Sequence, residues 1–317
     1  MAQVTGGDVT KGGCHLSCLA TMATEGATME LDEAASVFMQ VRPRLFGIAY
    51  RMLGSAAEAE DLVQDVWLRW QNYDRGTVRN PAAFLATTTT RLAINQLQSA
   101  RVRRETYIGP WLPEPVDTSA DPYLGAETGD ALEFAVLILL EKLTPTERAA
   151  YVLREAFDYP YAQIALILQT SEPAVRQLVS RARKHVTSER KAPVDVGAQR
   201  ELLSTFITAA RAGDLAGLER LFAAGVASIT DGNGAKHAAR RVVEGAAPVA
   251  RFIAAFSSFW WEGVEARFVT VNGRPAAVLE HAGGIKAMLT LTASADGIDH
   301  LLWLMNPDKI AAFRRPA

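Results

Sequence analysis

The chain is poor in cysteine. It has two in 317 residues, Cys14 and Cys18, both beside His15 near the N-terminus. A zinc site there lacks a fourth ligand, so no metal is expected. Long apolar runs are also missing: no stretch approaches the ~20 residues a membrane span requires. The first 28 residues carry no apolar core of the signal-peptide kind. The expectation is a cytoplasmic protein with no membrane contact. Residues 1–29 read as a disordered leader, with Met22 or Met29 as candidate natural starts. An excess of charge is absent too, with 33 Lys and Arg against 35 Asp and Glu. That balance argues against indiscriminate attraction to nucleic acid and leaves the distribution of charge to decide.

What is present divides into three blocks, and 317 residues suffice for two or three domains. Residues 30–107 are helical throughout. Leu45, Ile48, Ala49, Met52 and Leu53 repeat with the spacing of one buried helix face. Gly54 and Ser55 break that helix, and "AEAEDLVQDVWLRW" starts another. Leu62, Val63, Val66, Trp67 and Trp70 point inward there, and Glu58, Glu60, Asp61 and Asp65 decorate its outside. Asn80-Pro81 opens a third helix that ends in Arg101, Arg103 and Arg104. Its four consecutive threonines, Thr87 to Thr90, lower its intrinsic propensity and make it dependent on tertiary packing.

Residues 127–190 form a second helical block. Two short helices joined by a tight turn, "YPYAQIALILQ" and "TSEPAVRQLVSRARKHV", have the helix-turn-helix pattern. Ser171 is the expected N-cap of the second. Val175, Leu178, Val179, Ala182 and Val186 form its buried stripe, and Arg176, Gln177, Ser180, Arg181, Arg183 and Lys184 lie opposite. Between 171 and 191 only Glu172 and Glu189 are acidic. Gln177, Ser180, Arg181 and Lys184 share one helix face, as groove reading and phosphate contact require. This favours a DNA-binding face over a solvated one.

Residues 199–317 begin with amphipathic helices, one of them continuing through Leu218, Leu221 and Phe222. Four strand signals follow: "VEARFVTV", "AAVLEHA", "IKAMLTLTAS" and "IDHLLWLM". Asn272-Gly273 and Asp296-Gly297 punctuate them as hairpin turns. Helices followed by an antiparallel sheet predict an α+β domain whose sheet curls around its helices. Between the helical blocks, in the linker 108–126, lies "GPWLPEP". Its prolines forbid helix, yet it carries Trp111 and Leu112, which need cover.

At this point the motifs resemble a known family. "LFGIAYRMLGSAAEAEDLVQDVWLRW" with "PAAFLATTTTRLAINQLQSARVRRE" resembles region 2 of extracytoplasmic-function sigma factors. "LTPTERAAYVLREAFDYPYAQIALILQTSEPAVRQLVSRARKHV" resembles their region 4, and together they span residues 36–188. The third block, with "WLPEP" ahead of region 4, "DGNGAK" at 231–236 and "NPDK" at 306–309, is similar to the subgroup that carries a C-terminal SnoaL-like, NTF2-like domain.

The resemblance implies the following. Asp61, Gln64 and Asp65 dock on the clamp helices of bacterial core RNA polymerase. Arg91, Asn95 and Gln98 meet the −10 element of promoter DNA, while Arg101, Arg103 and Arg104 hold phosphates. The loop from Asn72 to Asn80 is the candidate pocket for an unstacked base. The recognition helix of region 4 enters the major groove at −35. No cofactor is called for, and the free protein is expected to be a monomer. Two positions depart from the family: Asn95 stands where an aspartate is frequent, and Gln169 where a turn glycine is.

The third block holds Asp231, His237, Glu280, His281, Asp299 and His300, but no pair has a spacing that demands catalysis. It reads as a regulatory domain in place of a separate anti-sigma protein, with room for an unidentified small-molecule ligand, rather than as an enzyme. The expected regulatory contact joins Trp111, Leu112 and Pro113 to Asp231, Lys236, Asn306, Pro307, Asp308 and Lys309. The competing reading makes Trp111 a local clasp on one of the helical blocks. Two other functions stay open: a one-component ligand-responsive helix-turn-helix regulator, and a bifunctional protein with an isomerase- or cyclase-like C-terminal domain.

Overall fold

The computed structural model describes residues 14–116, 133–189 and 191–313, without the side chains of 14–30, 100–105, 189 and 312–313. The leader's Cys14, His15 and Cys18 side chains, residues 117–126 of the linker and the first residues of the second helical block therefore lie outside the description. Among the described residues no helix is long and apolar enough to cross a membrane.

The first block is three helices, α1 (Cys14–Leu53), α2 (Ala56–Gln71) and α3 (Pro81–Glu105). Helix α1 begins at Cys14, well ahead of the start near Met29 that the sequence suggests. Gly54 ends it in a left-handed conformation (φ 69°), and Ser55 caps α2 by accepting from the Glu58 amide at 3.1 Å. Leu62, Val63, Val66 and Trp70 are buried, and Trp67 is half-buried against Phe38. Each hydroxyl of Thr87 to Thr90 donates to the carbonyl four residues earlier, at 2.7–3.0 Å. That satisfies Thr89 and Thr90, which are fully buried, inside a helix they would otherwise disfavour.

The second block contains α4 (Phe134–Leu140), α5 (Pro145–Tyr151), a π-turn at Val152–Ala156, α6 (Tyr161–Leu168) and α7 (Glu172–Glu189). Thr144 and Glu147 form a reciprocal capping box at the start of α5. Helices α6 and α7 make the helix-turn-helix, with Gln169 in the left-handed turn (φ 54°, ψ 48°). A side chain there is strained by about 1 kcal/mol relative to glycine. Gln169→Gly is expected to recover about that much in denaturant unfolding without altering the slope.

These two blocks do not fold apart. Their apolar side chains form one continuous cluster, from Phe38 and Leu53 through Leu137, Leu153 and Ile164 to Val186.

The third block has α8 (Val196–Ala212), α9 (Leu215–Leu221), α10 (Ala246–Ala255), α11 (Ser257–Trp260) and α12 (Pro307–Phe313). Its strands are β1 (Phe222–Asp231), β2 (Val243–Glu244), β3 (Glu265–Val271), β4 (Arg274–His281), β5 (Gly284–Ser294) and β6 (Gly297–Leu304). They form one sheet in the order β2-β1-β6-β5-β4-β3, antiparallel except for the β1–β6 pair. The four expected strands are present as β3 to β6. Strand β1 is a correction, because the sequence reading continues a helix through Phe222. Its residues "FAAGVASITD" are mostly small and carry weak strand propensity, and pairing on both edges decides their state. The turn at Asn272-Gly273 has φ of 53° and 74°, as a type I′ hairpin requires. At the other expected turn Gly297 already belongs to β6, so Ala295 and Asp296 make the bend.

Candidate promoter and polymerase surfaces and the linker clasp

The face of α7 opposite its buried stripe is solvent-exposed at Arg176, Gln177, Ser180, Arg181, Arg183 and Lys184. Ser171 caps the helix, accepting weakly from the Ala174 amide at 3.4 Å. Three of the arginines have acidic neighbours: Arg176 bonds Glu172 and stacks on Tyr161, Arg181 lies 3.0 Å from Glu147, and Arg183 lies 2.7 Å from Glu155. Partial burial pushes the Glu147 carboxyl up, but hydrogen bonds from Thr144 and Arg181 outweigh it and hold the group below the usual range. Surface pairs of this kind contribute little to stability.

On the first block, Asp61, Gln64 and Asp65 are exposed on one side of α2. Gln64 borders a groove between α1 and α2 floored by Phe38, Val63 and Trp67, with Met39 standing exposed at its edge. A second depression, at the end of α2, is walled by Leu68, Asn72, Tyr73 and Phe84, where the Tyr73 and Phe84 rings sit 4.5 Å apart. Tyr73 is exposed and Phe84 half-buried, and accessible rings of this kind suit base stacking. It takes in the start of the Asn72–Asn80 loop, while Leu68 and Phe84 lie outside the stretch picked out in the sequence.

Helix α3 exposes Asn95 and Gln98. The Arg101, Arg103 and Arg104 side chains lie outside the described residues. Arg91 is engaged: its guanidinium donates to the carbonyls of Ile167 (2.9 Å) and Leu166 (3.1 Å) at the end of α6. It thus ties α3 to the helix-turn-helix. Two more arginines cross the same boundary. Arg44 donates to the Phe157 carbonyl at 2.8 Å, and the fully buried Arg148 donates to the Arg51 carbonyl at 2.8 Å.

The linker runs between the first block and the C-terminal domain and touches both. Trp111 packs on Gly54, where an added Cβ would come within 2.8 Å of the indole. Its other side lies against Lys309, whose ammonium is 4.1 Å from the ring centroid. Leu112 is buried with Phe134 and Leu302. Asp231, fully buried, is the hub: it accepts from the Leu112 amide at 2.8 Å, from the Tyr107 hydroxyl, and from Lys309 at 2.7 Å. Lys309 also donates to the Leu112 carbonyl. Asn306 donates to the Tyr107 hydroxyl at 2.6 Å and accepts from the Asp308 amide, so one side chain starts α12 and joins the hub. Burial, reinforced by the Asp231 carboxylate, pushes the Tyr107 phenol well above its ordinary value.

Pro113 is buried, whereas Pro307 and Asp308 are exposed. Lys236 is exposed on the 232–242 loop, and Lys309 is the lysine that bonds the Leu112 carbonyl. The Trp111 ring touches the first block at Gly54 and the C-terminal domain at Lys309 at once.

A second set of contacts has no counterpart in the sequence reading. Glu114 accepts from the Ala56 and Ala57 amides at the start of α2, where a carboxylate suits the helix dipole. The buried Tyr50 hydroxyl donates to the Glu114 carbonyl at 2.6 Å and accepts from Asn272 at 2.8 Å. Asn272 in turn accepts from the Val116 amide at 3.0 Å. The hairpin tip thus reaches directly into the first block. Asn272 is legible from sequence only as a turn residue.

Two matches to family models align with these blocks: Sigma-70 region 2 over residues 37–103 and Sigma-70 region 4 over residues 134–186. The chain is 38% identical to the ECF RNA polymerase sigma factor SigJ of Mycobacterium tuberculosis over 298 residues, 89% of this chain and 93% of that protein. It is 33% identical to the probable ECF RNA polymerase sigma factor SigI of Mycobacterium tuberculosis over 63% of this chain and 70% of that protein. The crystal structure of Mycobacterium tuberculosis SigJ matches with a TM-score of 0.71 at 33% identity, covering 88% of this chain and 99% of that one. The chain belongs to the extracytoplasmic-function sigma factors.

The sigma factor's C-terminal α+β domain is the SnoaL-like one, and its titratable side chains are scattered. Asp231 sits in the clasp, Glu280 pairs with Arg267 at 3.1 Å on the surface, and His237 stands beside Phe259. His281 lies near Gly263, Asp299 pairs with Lys191, and His300 shares a hydrogen bond with Thr292. Inside the curl of the sheet, Trp260, Trp261, Trp303, Phe252 and Phe256 leave a cavity of only about 40 Å³. Among the described residues no group of three His, Cys, Asp or Glu side chains is placed to hold a metal.

Proposed function

We propose that this alternative sigma factor rests in a closed form held by the linker clasp, and that polymerase and promoter together pull regions 2 and 4 apart. The observation that carries the proposal is the single core shared by the two promoter-reading regions. The −10 and −35 elements lie about 25 base pairs apart, ~85 Å of duplex. Helix α7, 18 residues long, spans only ~27 Å, and Arg91 binds α3 to its neighbour α6. One compact body cannot lay both readers on both elements.

In the open form α7 reads −35 from the major groove through Gln177, Ser180 and Arg181, with Arg176, Arg183 and Lys184 on phosphates and Ser171 at the helix start. Helix α3 meets −10 through Arg91, Asn95 and Gln98, with Arg101, Arg103 and Arg104 on phosphates. The Tyr73–Phe84 depression takes an unstacked base. Asp61, Gln64 and Asp65, beside the α1–α2 groove, dock on core polymerase. The C-terminal domain acts in cis through Trp111, Leu112, Pro113, Asp231, Asn306 and Lys309, as a regulator rather than a catalyst. The protein works in the cytoplasm.

The test is transcription in vitro with bacterial core polymerase on a promoter library. The full-length protein is expected to give promoter-specific transcripts. Arg181→Ala should lower them by about tenfold, as loss of one base-reading contact does, and Trp111→Ala should raise them. Absence of transcripts, together with tight operator-like duplex binding by the protein alone, would assign it to the one-component regulators. Transcripts unchanged by Trp111→Ala would remove the role of the clasp.

A further inference from the structure

The loop between β1 and β2, residues 232–242, packs on the start of the linker. A Cβ added to Gly234 would meet Ile108 at 3.4 Å, and one added to Gly109 would meet the Arg240 backbone at 3.4 Å. The loop is tightly turned. Asn233, Gly234 and His237 are left-handed (φ 43°, 83° and 66°). The Ala235 and Ala238 amides donate to the Gly232 and Ala235 carbonyls at 2.8 and 3.2 Å. At Gly232 a Cβ would come within 2.1 Å of Ala238, so the loop closes on itself. Its alanines, Ala235, Ala238 and Ala239, are half-buried, and Lys236, His237, Arg240 and Arg241 are exposed.

The cations stand apart from any carboxylate. Among the described residues the side chains of Lys236, Arg240 and Arg241 form no ion pair or hydrogen bond. On α7, by contrast, Arg176, Arg181 and Arg183 each face an acid. Residues 101–109 and 232–244 together carry six Lys and Arg against two acids, Glu105 and Glu244. Asp308, close enough to Tyr107 to act on its phenol, adds a third, and Asp231 is already bonded to Lys309. In the whole chain acids outnumber Lys and Arg, 35 to 33, so this excess is local.

Its position matters as much as its sign. Arg101, Arg103 and Arg104 belong to the last turns of α3. Ile108 follows Arg104 by four residues, ~14 Å of chain at most. That is about four base pairs of duplex.

We propose that the 232–242 loop is a phosphate-binding surface for duplex DNA, acting through Lys236, Arg240 and Arg241 and continuing the basic end of α3 onto the C-terminal domain. Its place along the promoter rests on the reading of α3 as the −10 helix; phosphate binding by the loop does not. Contacts of this kind add affinity without reading sequence. The domain that restrains the sigma factor thereby also helps to hold it on DNA.

The test is binding of the full-length protein to a duplex of arbitrary sequence, about 30 base pairs long, by fluorescence anisotropy at several salt concentrations. The logarithm of affinity should fall against the logarithm of salt by ~0.9 for each phosphate neutralised. Replacing all three cations (Lys236→Gln, Arg240→Gln, Arg241→Gln) should reduce that slope by about 2 to 3 and weaken binding at low salt by at least about tenfold. Lys236→Gln with Arg241→Gln leaves the Arg240 packing on Gly109 in place. This pair should reduce the slope by about 2 and decides the matter if the triple variant melts early. Arg220→Gln, beyond the opposite end of β1, should leave the slope as it is.

An unchanged slope in both loop variants would overturn the proposal, as would a parent protein that does not bind duplex. An unchanged slope with weakened binding to core polymerase would assign the loop to an acidic protein surface and overturn it equally. Replacing Arg101, Arg103 and Arg104 by glutamine separates the two readings. A slope lowered by the loop variants but not by these upholds the loop and removes the phosphate role of α3; the reverse keeps α3 and overturns the loop.

Discussion

Asp231→Ala is expected to cost about 3–5 kcal/mol of stability, because it leaves the Lys309 ammonium buried without its counter-charge. Lys309 is 6% exposed and Asp231 fully enclosed, so water cannot replace the lost carboxylate. The Leu112 amide and the Tyr107 hydroxyl lose their acceptor in the same step. The effect should extend beyond the C-terminal domain, since these groups hold the linker that crosses to region 2. Thermal unfolding of the full chain should split into two transitions, the linker becoming protease-sensitive at Trp111. Replacing Asp231 and Lys309 together by apolar residues of similar size should recover much of the loss while leaving the clasp open. A single unshifted transition in Asp231→Ala would mean the hub contributes nothing.

Arg148→Ala should be comparably severe for a different reason. Arg148 is fully buried, pairs with Glu141 and donates to the Arg51 carbonyl at the end of α1. Its removal opens a cavity and orphans a buried carbonyl on region 2, together about 3 kcal/mol or more. Unlike Asp231, it lies on the region 2–region 4 boundary. The expected signature is easier separation of those regions, read as faster hydrogen exchange in α5 and α6 with the C-terminal sheet unaffected. Equal protection in variant and parent would show that Arg148 does not join the two regions.

Much of the fold was legible because periodicity reports burial. The α2 stripe, the α7 stripe and four of the six strands follow from spacing alone. Strand β1 was not, since "FAAGVASITD" owes its state to β6 and β2 rather than to its own side chains. The clasp was half legible. Trp111 and Leu112 are conspicuous as apolar side chains in a proline-rich linker, and two of their partners, Asp231 and Lys309, lie in short polar motifs. Lys236 and Lys309 are equivalent lysines in sequence, however, and only the docking of α12 beside β1 brings Lys309 to Asp231. Asn272 and Tyr50 are separated by 222 residues, and nothing local announces their bond. Arg91 shows the opposite limit. Helix spacing puts it on one face with Asn95 and Gln98, which the family resemblance expects to meet DNA, yet here it is engaged with α6. In the proposed open form, reading the promoter would require that guanidinium to leave α6.

The most direct measurement is the distance between regions 2 and 4 in solution. Fluorophores at Arg79 and Thr187, both exposed, would report it by energy transfer after Cys14 and Cys18 are replaced by serine. The free sigma factor should show one population with high transfer. Core polymerase with promoter DNA should abolish most of it, as elements ~85 Å apart demand. The same high transfer in the transcribing complex, or low transfer in the free protein, would contradict a closed resting state that opens to work.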